Sequence, residues 1–128
     1  MKLLFDTQLL IWAANNPEKL PKKAETLIAD LTNELFFSAA SLWEIAIKYG
    51  LNRADFQVNP RILHQGLIAN GYQEIPVFSF HAAAVNDLPP LHKDPFDRLL
   101  IAQAKTEGIT LLTCDVKIKE YSPSIMLL

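Results

Sequence analysis

Short apolar runs alternate with longer segments of helical periodicity along the chain. The apolar runs predict strands at residues 2–5, 34–37, 74–77, 110–113 and 125–128. The segments between them predict helices at residues 7–15, 21–31, 39–49, 60–70, 80 to just before 89, and 94–107. Strands that are apolar almost throughout and alternate with helices are typical of a parallel sheet covered on both faces. The pattern therefore predicts an α/β fold with a central, mostly parallel sheet.

Proline and glycine mark where several helices begin and end. Asp94 followed by Pro95 combines a capping side chain with proline at the first helical position, which predicts a helix start. Gly50 and Gly108 stand where two helices are expected to stop. The sequence shows no repeat, low-complexity tract or linker, so residues 1–128 are expected to form a single domain.

Composition argues against disorder, a membrane span and a disulfide framework. Half of the 128 residues are hydrophobic and a fifth are charged, whereas disordered chains combine low hydrophobicity with high net charge. The longest apolar stretches, such as residues 109–114, are far shorter than the roughly 18 residues that span a bilayer. Cys114 is the single cysteine, and Asp6 comes too early for a signal-peptide core. A cytoplasmic protein is therefore expected.

The charge balance limits how this protein could bind a polyanion. Twelve Lys and Arg residues oppose fourteen Asp and Glu residues, for a net charge of −2. Binding to nucleic acid through bulk charge normally shows as a basic surplus, which this chain lacks. A polyanionic partner would need positive charge from another source, and a divalent metal ion is the obvious candidate.

Two acids directly follow predicted strands. Asp6 closes the first strand and Asp115 closes the strand at residues 110–113. Ligands of open parallel sheets bind beyond the carboxyl ends of the strands, so both acids are candidate site residues. Each has a plain alternative, because Asp commonly caps a helix or turn after a strand.

Two further acids lie on predicted helices. Glu44 stands on a helix that is apolar almost all round, and its alternative role is a surface pair with Lys48, worth about 0.2–0.5 kcal/mol. Asp97 falls in the first turn of its helix, where an acid also interacts favourably with the helix dipole.

Taken together, the four acids can reach one edge of the sheet. Two carboxylates about 4 Å apart repel by roughly 4 kcal/mol at an effective dielectric of 20, so a cluster of four calls for a cation. Hard oxygen ligands suit Mg²⁺ or Mn²⁺. Such ions activate water and stabilise charge on a phosphodiester under attack.

Four segments resemble the PIN-domain ribonucleases, and most of all the VapC-type toxins of bacterial toxin–antitoxin pairs. They are LFDT at residues 4–7, SLWEIAIK at 41–48, DPFDRLLIAQA at 94–104 and LTCD at 112–115. The resemblance covers essentially the whole chain in order and spacing. It implies a PIN-like three-layer α/β fold with helices on both faces of the sheet.

The resemblance also implies an activity and partners. The implied protein is a Mg²⁺- or Mn²⁺-dependent RNA endonuclease whose catalytic, metal-binding acids fall on Asp6, Glu44, Asp97 and Asp115. A homodimer and a cognate antitoxin that blocks the site are implied as well. This sequence departs from the family at Gln8, where many relatives carry histidine.

Several neighbouring residues are candidates for supporting roles. Thr7 and Thr113 flank two of the acids and can hydrogen-bond to carboxylates or water, or can be ordinary strand-end threonines. Lys48 and Arg98 are candidates for phosphate contact, with pairing to neighbouring acids as the alternative. His92, close before the Asp94 helix start, is a candidate for the mouth of the site.

The remaining histidines and the tryptophans have simpler expected roles. No histidine has a metal-ligand spacing with another histidine or with Cys114. His64 and His81 are expected at the surface or partly buried with partners. Trp12 and Trp43 are expected in the core or in a subunit contact rather than stacked on bases.

Other functional classes were weighed against this one. No P-loop or G-x-G-x-x-G motif occurs in the sequence. A metal-dependent phosphatase with an aspartyl nucleophile would share the strand-end Asp6 but would have a second Asp where Gln8 stands. A non-catalytic α/β interaction module stays open as an alternative, with the four acids acting as separate caps.

Overall fold

The computed structural model describes all residues 1–128. The chain folds into five strands and seven α-helices, with single 3-10 turns at Pro17–Lys19 and Val85–Asp87. The strands are β1 (Lys2–Phe5), β2 (Glu34–Ser38), β3 (Gln73–Ile75), β4 (Thr110–Thr113) and β5 (Met126–Leu127). The helices are α1 (Thr7–Asn15), α2 (Lys22–Ala29), α3 (Ala39–Gly50), α4 (Pro60–Ala69), α5 (Ser79–Ala84), α6 (Pro95–Glu107) and α7 (Val116–Lys119). None of the helices combines the length and apolarity that crossing a membrane requires.

The five strands form one sheet in the order β3-β2-β1-β4-β5, and every pairing is parallel. The central strand β1 pairs with β2 on one side and with β4 on the other. Leu4 lies opposite Phe36 of β2 and Leu111 of β4, so the three strands end at the same edge. The predicted parallel α/β sheet is confirmed.

Helices cover both faces of the sheet, as the predicted three-layer fold requires. Successive residues of a strand point to opposite faces, and β1 shows this directly. Leu3 and Phe5 belong to one buried cluster with Leu10 of α1 and Leu67 of α4. Leu4 belongs to the other, whose further members include Leu100, Ile101, Leu111 and Ile118. Residues 3–5 of β1 are buried on both faces of the sheet, and all three are apolar.

Several predicted boundaries differ from the structure. Helix α3 continues through Gly50, because this glycine keeps a right-handed conformation, whereas Gly108 adopts φ +66° and ends α6 as expected. Pro21 occupies the N-cap position of α2, just before the first helical residue Lys22, rather than the first helical position itself. Strand β3 begins and ends earlier than residues 74–77, and the last strand is shorter than residues 125–128. The short helix α7 was not predicted, since four residues are too few to show a periodicity.

A buried polar chain joins three elements next to the sheet edge. Ser38 Oγ donates to Gln103 Oε1 at 2.6 Å, and Gln103 Nε2 donates to the carbonyl of Pro76 at 3.3 Å. His81 lies beside them, with Nδ1 accepting from the Phe78 backbone N–H at 3.0 Å. All three polar side chains are fully buried, so His81 is a buried histidine with satisfied hydrogen bonds rather than a surface residue. These hydrogen bonds link the end of β2, where α3 begins, to α6 and so fix α3 and α6 relative to each other.

Ser38→Ala is expected to lower the free energy of unfolding by about 1–3 kcal/mol. The change leaves the buried Gln103 Oε1 without a donor and removes the side-chain cap of α3 at Ala40. Urea denaturation of the purified protein measures the effect. The control Ser124→Ala alters an exposed serine and should change stability by less than about 0.5 kcal/mol. Equal stability of Ser38→Ala and the wild type would show that this chain does not hold the helices.

Candidate metal centre

Asp6 lies directly after β1 and caps α1. Its Oδ1 accepts a hydrogen bond from the backbone N–H of Leu9 at 2.9 Å. Its Oδ2 accepts from the Thr113 hydroxyl at 2.6 Å, and the residue is only 5% exposed. Asp6 is therefore a helix cap and, at the same time, a buried carboxylate held by the neighbouring strand.

Asp115 lies beyond the end of β4 and caps α7. Its Oδ1 accepts from the Lys117 backbone N–H at 2.8 Å. Its own backbone N–H donates to Thr113 Oγ1 at 3.0 Å, and the same hydroxyl donates to Asp6. One threonine therefore ties the two strand-end acids together. Thr113 is not an ordinary strand-end threonine.

Glu44 of α3 is almost fully buried, at 7% exposure. The Thr7 hydroxyl donates to Glu44 Oε1 at 2.9 Å and also lies 2.9 Å from the Ser41 hydroxyl. Lys48 Nζ lies 3.0 Å from Glu44 Oε2. The expected i, i+4 pair is thus present, but it joins a buried carboxylate to a half-exposed lysine rather than two surface charges.

Asp97 stands in the first turn of α6, behind the cap formed by Asp94. Asp94 Oδ1 accepts from the backbone N–H groups of Phe96 at 2.9 Å and of Asp97 at 3.1 Å. His92 Nε2 donates to Asp97 Oδ2 at 2.9 Å. His92 is therefore in direct contact with one of the four acids. Ligand atoms of His92, Asp94 and Asp97 all lie within 4.8 Å of one another.

The four acids influence one another electrostatically. The pKa of Asp6 is raised from 3.8 to about 6, chiefly by burial, with hydrogen bonds from Thr113 and Leu9 lowering it and the charges of Asp97 and Asp115 adding to the rise. Burial also raises the pKa of Asp97, which the hydrogen bond from His92 lowers and the charges of Asp94 and Glu44 raise. Asp6 and Asp97 therefore each respond to the charges of other acids among the four. The group whose ligand atoms all lie within 4.8 Å of one another is His92, Asp94 and Asp97. That Asp6, Glu44, Asp97 and Asp115 together bind one ion stays a prediction.

The donor set of this cluster fits a hard divalent cation. It consists of carboxylate oxygens, and Asp97 Oδ1 and Asp115 Oδ2 accept no hydrogen bond from the protein. A cation would also favour the ionised form of Asp6, whose pKa is raised chiefly by burial and to a smaller extent by the charges of Asp97 and Asp115. Mg²⁺ and Mn²⁺ bind through a few carboxylates and keep water in the remaining positions.

Lys48 and Arg98 have different surroundings. Lys48 pairs with Glu44 and is 44% exposed at its side chain, so its ammonium faces solvent beside the cluster. Arg98 pairs with no acid. Its guanidinium donates instead to backbone carbonyls of residues 85–92 and to the Tyr121 hydroxyl. The acid pair weighed as the alternative for Arg98 is absent, and a phosphate contact by Arg98 stays a prediction.

The two tryptophans differ in burial. Trp12 is partly buried against the core, as expected. Trp43 is 63% exposed and packs edge-on against Phe96, with ring centroids 5.4 Å apart. The core expectation is therefore wrong for Trp43, because the apolar pattern of α3 continues round the helix onto its exposed side.

Sequence reasoning missed Ser41 and Tyr121 as neighbours of the acids. Ser41 lies one turn before Glu44, and that helical spacing was a signal that could have identified it. Tyr121 reaches His92 through a tertiary contact across 29 positions of the sequence. No local pattern indicates such a contact.

Several solved structures are similar to this chain. VapBC2 from Rickettsia felis, bound to a DNA fragment from its promoter, is 19% identical with a TM-score of 0.71, and the match covers 100% of this chain and 98% of that one. DNA-bound VapBC from Salmonella typhimurium is 17% identical with a TM-score of 0.71, covering 100% and 97%. FitAcB from Neisseria gonorrhoeae is 16% identical with a TM-score of 0.62, covering 98% and 96%. No curated protein sequence matches significantly.

The sequence also matches a family model. The match is to the PIN domain and spans residues 3–122, nearly the whole chain and all four acids of the cluster. The parallel sheet, the helices on both of its faces and the structural similarity agree with this match. The chain belongs to the PIN domain family.

Proposed function

We propose that this protein is a metal-dependent RNA endonuclease and the toxin of a type II toxin–antitoxin pair. The observation that carries the proposal is the match to the PIN domain over residues 3–122. The charge effects of Asp97 and Asp115 on Asp6, and of Glu44 on Asp97, support a shared site for these four acids at the carboxyl edge of the sheet. These four acids would hold Mg²⁺ or Mn²⁺. When bound, the ion supplies an activated water and stabilises charge on the phosphodiester.

The protein groups around the acids prepare them for this role. The Thr7 and Thr113 hydroxyls each donate to a buried carboxylate, of Glu44 and Asp6 respectively, and so fix its orientation. Both acids lie on rigid elements next to the core, which holds the ligand geometry constant. The half-exposed Lys48 is placed to contact a phosphate beside the cluster.

The charge of the protein supports a substrate bound through metal. With a net charge of −2, the chain has no basic surplus to attract RNA by itself. The acids repel the phosphate groups of RNA, and a divalent ion bound to them would attract those phosphate groups instead. RNA as the substrate, rather than another phosphodiester, rests on the resemblance to PIN-domain ribonucleases.

The partners follow from the same likeness. The similar structures from Rickettsia felis and Salmonella typhimurium are described as VapBC bound to DNA, and we extend an antitoxin partner to this chain. A homodimer in the cytoplasm completes the proposal. Trp43, Ile47 and Leu51 recur at i, i+4 and i+8 along α3 and its end, and all are exposed. They provide an apolar surface for a protein contact.

Asp97→Asn is expected to reduce RNA cleavage at least about 100-fold while leaving the fold intact. Asn keeps the shape of the side chain but loses the charge that binds metal, and loss of even an outer-shell partner costs 10–100-fold in metal sites. The assay incubates structured RNA with purified protein, with and without Mn²⁺, and maps the ends. The control Asp55→Asn neutralises an exposed acid. Cleavage by Asp97→Asn at the wild-type rate would place the active site elsewhere.

Expression of the wild-type chain alone in bacteria is expected to arrest growth, and Glu44→Gln to relieve the arrest. Gln keeps the hydrogen bond from Thr7 but cannot supply a charged ligand. Growth curves after induction measure the effect, with immunoblots to confirm equal protein levels. Unimpaired growth with soluble wild-type protein would argue against a toxin while leaving the nuclease activity open to the RNA assay.

Asp6→Asn is expected to stabilise the metal-free protein above pH 7, by up to about 3 kcal/mol. A rise in pKa from 3.8 to about 6 corresponds to that penalty for the ionised group. As pH rises from about 4 to about 6, the unfolded state ionises while the folded state keeps its proton, so wild-type stability falls. The advantage of the variant should therefore be small near pH 4 and full above pH 7.

Denaturation in EDTA across this pH range tests the effect, and a repeat in Mn²⁺ tests its origin. Metal at ten times its dissociation constant should stabilise the wild type by about 1.4 kcal/mol and the variant by clearly less. Identical curves for both proteins in both buffers would show that the acids do not form one metal site.

A further inference from the structure

The segment at residues 88–94 leads into α6 and lies between regular elements, yet it is firmly held. Most of its side chains are exposed, so its backbone contacts decide its conformation. Arg98 supplies most of these contacts from the first turns of α6. Its Nη1 donates to the carbonyls of Pro89 at 3.0 Å and His92 at 3.4 Å, and its Nη2 donates to those of Val85 at 3.2 Å and Leu88 at 3.5 Å.

Tyr121 holds the same segment from the other side. Its hydroxyl accepts from the His92 backbone N–H at 2.8 Å and donates to the His92 carbonyl at 3.3 Å. Arg98 Nη1 donates to this hydroxyl at 3.0 Å. The Tyr121 ring is buried in the core cluster that contains Leu4 and Ile118, so the hydroxyl has a fixed position.

Arg98 and Tyr121 both hold His92, the residue that contacts the acid Asp97. His92 is bonded at its backbone N–H and at its carbonyl, and its ring Nε2 donates to Asp97 Oδ2 at 2.9 Å. With Oδ2 engaged, the carboxylate is turned so that Oδ1 has no protein donor. A histidine held at both backbone groups has little freedom to release this bond.

We propose that Arg98 and Tyr121 are positioning residues of the metal centre, which act through His92 to fix the orientation of the Asp97 carboxylate. The inference rests on the proposed function, since it assigns these residues a purpose in a site that binds metal. Neither side chain hydrogen-bonds to any of the four acids; both contact the segment that carries His92. Their effect reaches the site through one hydrogen bond.

The chemistry of arginine explains why this residue stands at the position. Its planar group presents several N–H donors in a fixed fork, and here two nitrogens serve four carbonyls and a hydroxyl. Lysine carries the same charge on one nitrogen and cannot span those acceptors. Arg98→Lys therefore separates the two roles: a phosphate contact through charge would survive the change, and the positioning contact would not.

The first experiment measures Mn²⁺ binding by calorimetry with the full-length protein, without RNA. Arg98→Lys is expected to weaken Mn²⁺ binding about 10-fold, the lower end of the range for outer-shell changes. The matched control Arg61→Lys alters an exposed arginine of α4 and should bind as the wild type does. His92→Ala should weaken binding similarly, and His92→Gln should restore much of it because its amide can donate to Asp97.

The second experiment measures backbone hydrogen exchange in the metal-free protein. Tyr121→Phe keeps the buried ring and removes only the hydroxyl, so the variant is expected to fold. Exchange at residues 88–94 should rise and Mn²⁺ binding should weaken together. The matched control Tyr72→Phe also removes a hydroxyl from a buried ring, in the other core cluster, and should change neither quantity.

The outcomes separate this inference from the proposed function. If the wild type binds Mn²⁺ and the variants bind it equally tightly, the inference is overturned and the nuclease proposal stays in place. An Arg98→Lys variant whose Mn²⁺ binding and KM for RNA both equal those of the wild type would likewise overturn the inference and agree with a phosphate contact made through charge instead. A wild type that binds no Mn²⁺ would overturn both. Weakened binding in Arg98→Lys and Tyr121→Phe, with wild-type binding in their controls, supports the inference.

Discussion

The parallel pairing of β1 with β2 and β4 is the constraint on which the site depends. Leu3 and Leu4 align with residues of both neighbours, so the three strands end at one edge of the sheet. In parallel strands every carboxyl end points the same way, and the acid that follows each strand therefore arrives beside the next. Asp6 and Asp115 meet for this reason, and Glu44 approaches because α3 begins directly after β2. The parallel direction of the strands therefore determines at which edge of the sheet these acids lie.

Bringing acids to this edge is energetically unfavourable for the metal-free protein. Burial raises the pKa of Asp6 and of Asp97, which means that the fold works against their ionised forms. The Thr113 hydroxyl and the Leu9 backbone N–H offset part of that cost at Asp6, and His92 does so at Asp97. Buried acids whose ionised forms are disfavoured lower the stability of the protein, and such locally unfavourable groups are expected at functional sites.

The polar groups around the edge form two separate supports. Ser38 and Gln103 connect α3 with α6 inside the protein, while Arg98 and Tyr121 hold the segment that carries His92. Both supports use buried or half-buried groups whose hydrogen bonds are satisfied, and no buried side-chain polar atom is left without a partner. Polar networks that are fully satisfied favour one arrangement of the core over its alternatives. The precision of the acid cluster therefore comes from residues that lie outside it.

The sequence by itself determined the succession of strands and helices along the chain and the parallel sheet, while the assignment of the four acids to one site stays a prediction. These features depend on apolar periodicity, on caps such as Asp94-Pro95 and on motifs that are local in the chain. The tertiary structure alone decided that Glu44 is buried, that Arg98 holds backbone carbonyls rather than facing solvent, and that His92 contacts Asp97. These contacts join residues whose proximity depends on how the helices dock on the sheet. The local sequence does not indicate how the helices dock, because packing and desolvation arise only when distant segments of the chain come together.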